Sequence, residues 1–318
     1  MTLSSAEPDY LSENWCGLKW SSWVKHKNFR NDSAHLPKFP GLYRVRVIDG
    51  DSLVYIGQTG RTVRKRQSEL IVYLKDPEKM PFNDPHTAAP NLWAWADAEG
   101  FEFESSGAFF EGTKQDREGM EAYLLWQYRL ESGNSTQCNF GRFHEDYLKS
   151  RNKSSGFRGG KLTGGEKNAA GGPSAPPLRL KADGMPADPD WMNLSWSEPE
   201  ILNKENLKEI PGEPALYRIM NRKCSDVLYI GQTKNARARL TTHSKYDWEE
   251  EVLFSVYLLP GVSDSDSASD PDIGSVLSDF PTNKSVLLYT HQLKELENDL
   301  IGAYYGHFRR VPKFQIRK

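Results

Sequence analysis

The chain has 318 residues, 37% of them hydrophobic and 12% aromatic, with a formal net charge of −2. That length holds two domains of ordinary size, and the apolar content excludes a wholly disordered chain. No apolar run approaches the roughly 18 residues of a membrane span, and MTLSSAEPDY lacks the basic-then-apolar order of a secretion signal.

Residues 1–14 are polar. Cys16, Cys138 and Cys224 stand far apart with no CxxC pair, which argues against a disulfide framework or a zinc site and fits a reducing cytoplasm. WCGLKWSSW follows at 15–23 and reads as core or lid packing in preference to a base-stacking platform, because large aromatics chiefly supply buried area. The stretch 41–66, GLYRVRVIDGDSLVYIGQTGRTVRKR, predicts a strand over 42–47, a turn at Asp49-Gly50 and a second strand ending at Tyr55-Ile56-Gly57. Asp-Gly between β-rich runs is a strong hairpin signal, since Gly tolerates the positive φ of such turns. A helix is expected over 62–75, with Val63, Leu70, Ile71 and Leu74 as its apolar stripe. Pro and Asn make 76–90 a loop, and 101–110 suits the third strand of a small sheet. A helix then starts at Thr113, an N-cap, and carries Glu121 in its first half. The segment closes on Cys138-Asn139-Phe140-Gly141-Arg142.

Residues 146–190 read as a flexible Gly-rich linker, basic enough either to aid solubility or to track a nucleic-acid backbone. The pattern then returns. WMNLSWSEP at 191–199 matches the first Trp segment, and ALYRIMNRKCSDVLYIGQTKNARARL at 215–240 matches the hairpin. Twelve residues separate Tyr43 from Tyr55, and twelve separate Tyr217 from Tyr229. The offset between copies is 176 at Trp15 and Trp191 and 174 at the tyrosines. A whole domain is therefore duplicated, as 15–145 and 191–318. The second copy predicts a strand over 252–259, a Ser/Asp-rich insertion over 261–279, a strand over 285–289 and a helix from Thr290. In that helix Glu297 lies over Glu121, again at an offset of 176. The terminal VPKF sets Lys313 opposite Asn139. Arg61, Arg64, Lys65 and Arg66 form one basic cluster, and Lys234, Arg237 and Arg239 another. For phosphate binding such local clustering matters more than net charge.

Gly41-Leu42-Tyr43 with Tyr55-Ile56-Gly57, and Ala215-Leu216-Tyr217 with Tyr229-Ile230-Gly231, resemble the paired motifs of the GIY-YIG nuclease family, over residues 38–142 and 212–316. The resemblance implies an α/β (α+β) fold, with two tandem domains that are each a three-stranded, mostly antiparallel sheet flanked by helices. It implies that the two motif tyrosines line a site where the first helps to deprotonate water. A helix Arg contacts the scissile phosphate, and one Glu holds a single Mg²⁺ (or Mn²⁺). Here these are Tyr43, Tyr55, Arg66 and Glu121, and Tyr217, Tyr229, Arg239 and Glu297. Arg239 lies ten residues after Tyr229 and Arg66 eleven after Tyr55, which leaves Arg64 as an alternative in the first copy.

The restriction branch of that family adds a His one turn beyond the Arg and an Asn after the Glu helix. His243 fills the first position in the second copy, where the first copy has Leu70. Asn139 fills the other in the first copy, where the second has Lys313, so each copy is expected to lack one accessory group. Ala215 in place of Gly41 fits only a backbone with negative φ. The expected function is a Mg²⁺-dependent endonuclease acting on double-stranded DNA, a monomeric pseudo-dimer whose two sites cut both strands, in restriction or phage defence. Alternatives are a repair or recombination nuclease acting on branched or damaged DNA, and a nucleic-acid-binding protein with one or both sites decayed.

Overall fold

A computed structural model describes residues 8–180, 184–259 and 289–316. The chain divides into two units, Met1–Gly172 and Pro173–Lys318. The first is built on a four-stranded antiparallel sheet in the order β1 (Val24–Lys25), β4 (Phe103–Phe109), β2 (Gly41–Val47), β3 (Leu53–Thr59). Tyr43 pairs with Gly57 and Val45 with Tyr55, and a register shift follows between Val45 and Arg46. At the tip Asp49, not Gly50, takes the left-handed conformation (φ 58°), which the short polar side chain of Asp tolerates. Three strands were expected; the fourth directly follows the Trp-rich segment, whose Trp20 bridges to Ala108 on β4.

Period-two alternation sends β2 side chains to two faces. Val45 joins a core with Val54, Leu70, Leu92 and Phe103. Arg44 goes the other way, is 1% exposed and donates to the carbonyls of Tyr10, Leu11 and Ser12. Its guanidinium lies 4.4 Å from the Trp20 ring. A buried cation is stable only when its donors are matched, and this one fastens the N-terminal segment to the sheet. The second unit repeats the device: Arg218, also 1% exposed, donates to Pro186 and Asp188 and lies 4.5 Å from the Trp196 ring. Trp20 and Trp196 donate to the carbonyls of Trp15 and Trp191 at 3.1 and 3.0 Å. The Trp segments are thus duplicated down to their hydrogen bonds, and they are core.

After a single turn, α1 (Phe29–Asp32), comes α2 (Val63–Leu70), capped by Thr62, whose side chain accepts from the Lys65 N–H at 3.1 Å. It ends sooner than expected, tightening to a 3₁₀ turn over Ile71–Leu74. A helix that the sequence reading omits, α3 (Ala89–Glu99), begins at the end of the expected loop; Pro90 stands in its first turn and Gly100 stops it at φ 69°. α4 (Lys114–Ser132) starts at Thr113 with a full capping box to Asp116.

The expected flexible linker gives way to packed structure. β5 (Tyr147–Leu148) pairs with β6 (Gly160–Lys161), Tyr147 is 1% exposed, and Ser150 and Ala175 are buried. Its few apolar residues find the core despite the glycines around them.

The second unit holds a sheet in the order β7 (Glu200–Ile201), β10 (Val252–Leu258), β8 (Ala215–Asn221), β9 (Val227–Thr233), again antiparallel with the same register shift, here between Ile219 and Met220. α5 (Ala236–His243) is capped by Asn235, and α6 (Thr290–Phe308) packs on β8 and β9. The expected insertion over 261–279 lies outside the described residues, as does nearly all of the expected strand over 285–289.

Candidate active site

In each unit the two motif tyrosines stand side by side on the β hairpin, because Tyr43 pairs with Gly57 and Val45 with Tyr55. Ring centroids are 5.9 Å apart for Tyr43 and Tyr55 and 6.0 Å for Tyr217 and Tyr229. The motif glycine leaves room for them. A Cβ at Gly57 would lie 2.6 Å from the Tyr43 hydroxyl and 2.7 Å from Tyr55, and Gly231 is hemmed in by Tyr217 and Tyr229 alike. Gly41 is held differently: a Cβ there would collide with the Ala108 carbonyl. The second unit accommodates Ala215 fully buried, and neither position has positive φ.

The helix after the hairpin brings in the arginine. Arg66 lies close enough to Tyr43 and Tyr55 for their charges to interact, and its Nη1 donates to the Pro85 carbonyl at 2.8 Å. Arg239 Nε donates to the Tyr217 hydroxyl at 3.1 Å. Arg66, not Arg64, is therefore the arginine beside the tyrosines. Arg64 donates to the Ala34 carbonyl at 2.8 Å, and its counterpart Arg237 to the Ile210 carbonyl at 2.6 Å. Both guanidiniums tie down the loop before the hairpin. Arg61 is engaged by Glu69 in two bonds of 2.6 Å. Arg61 and Lys65 in one cluster and Lys234 and Arg237 in the other are exposed.

Burial pushes the Tyr43 hydroxyl up to about 12 against the opposing pull of Arg66. Burial likewise raises Tyr217, with Tyr229 adding to it. The glutamates come from the long helices. Burial pushes Glu121 up to about 8, with nearby Glu118 adding to the rise and Arg66 opposing it. Burial pushes Glu297 up to about 7, opposed by a bond from the Gln232 N–H and by Arg239. A carboxyl held so far from water favours a cation beside it.

Two expectations are corrected. The first unit does not lack the histidine: His86, from the loop before α3, sets its Nε2 2.8 Å from the Tyr43 hydroxyl, as His243 sets its own 2.9 Å from Tyr217. The rings close a triangle in both units, 5.7 Å from Tyr55 to His86 and 4.9 Å from Tyr229 to His243. The one signal in the sequence was a histidine in a Pro-rich loop, at no fixed distance from any motif. Nor does the second unit lack a counterpart to Asn139. The Asn139 side-chain amide receives the Ile56 N–H at 3.0 Å and donates to the Ile56 carbonyl at 2.8 Å, clasping the Tyr-Ile-Gly strand. In the second unit the clasp is Gln315, with 2.9 Å bonds to Ile230 in both directions, and Lys313 instead pairs with Glu249. Carrying the 176-residue offset of the long helices to the end of the chain aligns Gln315 with Asn139.

Among the described residues no group of three or more His, Cys, Asp or Glu side chains gathers as a metal cage. A divalent ion here would rest on one desolvated carboxylate, completed by water and phosphate oxygens, a set that suits Mg²⁺. Compared with family models, curated proteins and solved structures, the chain matches none.

Proposed function

We propose that the chain is a metal-dependent DNA endonuclease of the GIY-YIG type, with two sites that each cut one strand of double-stranded DNA. One observation carries this reading: two units arrange Tyr, Tyr, Arg, His and a raised Glu about the same hairpin, although the His and the strand clasp come from different residues. Glu121 and Glu297 would hold Mg²⁺, which when bound offsets charge on the phosphate. Arg66 and Arg239, donating from beside the tyrosines, are placed to bind and orient a phosphodiester. Tyr43 and Tyr217 hold the exchangeable proton nearest that arginine. Restriction or phage defence is the setting that two strand-cutting sites suit best.

A second reading has its own observation. Lys294 occupies the position of Glu118, at the 176-residue offset, and it bears on Glu297 with the opposite sign. The second unit is then the weaker cation site and holds DNA while the first cuts.

Supercoiled plasmid with Mg²⁺ tests both. The native chain should give linear product, Glu121→Gln or Glu297→Gln should give open circles, and the double variant nothing. Linear product from Glu297→Gln alone would favour the second reading. Cutting by the double variant, or in excess EDTA, would overturn the glutamate and metal assignments.

A further inference from the structure

We infer that His86 serves the first site as a fixed hydrogen-bond donor to Tyr43, its proton held on Nε2 by the backbone of its own loop. The backbone N–H of Ala88 donates to His86 Nδ1 at 3.1 Å. An amide N–H can only donate, so Nδ1 carries a lone pair, and the single proton of a neutral imidazole sits on Nε2. The ring is neutral, since burial, reinforced by Arg66, holds His86 well below the ordinary histidine range. Nε2 lies 2.8 Å from the Tyr43 hydroxyl, so in that bond His86 donates and Tyr43 accepts.

The consequence falls on Tyr43. Arg66 bears on the same hydroxyl as a nearby positive charge. The bond from His86 takes one lone pair of the phenol oxygen and turns its O–H away from the imidazole. His86 thus does not take a proton from Tyr43. It orients that proton, and it steadies the oxygen that would carry charge once the proton leaves. It is a positioning residue, supplied by a loop where the second unit uses the last residue of α5. The effect on cleavage rests on the nuclease reading; the place of the proton does not.

Two substitutions separate the donor from the loop contact. The Asn amide overlays Nδ1, so His86→Asn keeps an acceptor for Ala88 and loses the donor to Tyr43. The Gln amide reaches the Nε2 position, so His86→Gln keeps the donor. In a Glu297→Gln background, where only the first site cuts, His86→Asn should slow single-turnover nicking by ~100-fold, the scale of losing one preorganised donor. His86→Gln should recover most of that rate, and DNA affinity should stay within about threefold in both. In ¹⁵N-histidine-labelled protein, the resonances absent from His86→Gln should show a protonated Nε2 and an unprotonated Nδ1. A proton on Nδ1, or equal losses in the two variants, would overturn the inference. If the native chain cuts no DNA, the nuclease reading fails and the ¹⁵N spectrum alone decides the donor assignment.

Discussion

At the scale of single residues, the site was legible where chemistry was tied to a repeated spacing. Tyr43, Tyr55, Arg66 and Glu121 were found because each has a partner about 174 residues away in a matching context. His86 was hidden, because a loop can deliver a side chain from any position that its length allows. The raised glutamates carry a test of their own. A carboxyl with a folded-state pKa near 8 binds its proton more tightly folded than unfolded, so its stabilising contribution is complete below the unfolded value and is lost as pH rises. Glu121→Gln keeps the neutral form at every pH. In EDTA its Tm should match the native chain near pH 4, exceed it by roughly 3 °C or more near pH 8, and change no further above that. Melting curves with a constant difference across that window would remove the burial argument.

Whole elements obeyed local rules where caps were explicit. Thr113 announced α4, and the hairpins followed their alternation. α3 escaped notice because Ala88 precedes it in place of a polar cap and only Asn91 is polar among its first eight residues. The strand clasp shows how tertiary need can be met by unlike residues: Asn139 and Gln315 differ by a methylene, yet each closes two bonds on one buried isoleucine backbone. Asn139→Ala and Gln315→Ala should each cost their unit about 1–3 kcal/mol, the penalty for stranding buried backbone groups. Asn139→Gln should not rescue the first unit, whose backbone is spaced for the shorter arm. Urea titrations of the three single variants measure this, and unchanged midpoints would reduce the clasp to an incidental contact.

Across the whole molecule, duplication was plain from the sequence, while the boundary was not. Gly-rich composition suggested an idle tether, yet Tyr147 and Ser150 belong to the first unit and Ala175 to the second. Residues 1–172 and 173–318, made separately, should each melt cooperatively. A fragment ending at residue 145 should melt roughly 10 °C below 1–172, because it lacks a buried tyrosine worth several kcal/mol. Calorimetry of the three fragments decides this, and equal Tm values for the two N-terminal fragments would restore the tether.

The two routes by which a histidine reaches its tyrosine also give the halves different histories under insertion and deletion. Four residues of helix separate Arg239 from His243, and a change of length after α5 leaves that pair untouched. Twenty residues separate Arg66 from His86, and gain or loss of even one within them re-aims the ring. Reading-frame-preserving length changes between α2 and α3 would therefore silence the first half long before comparable changes reached the second.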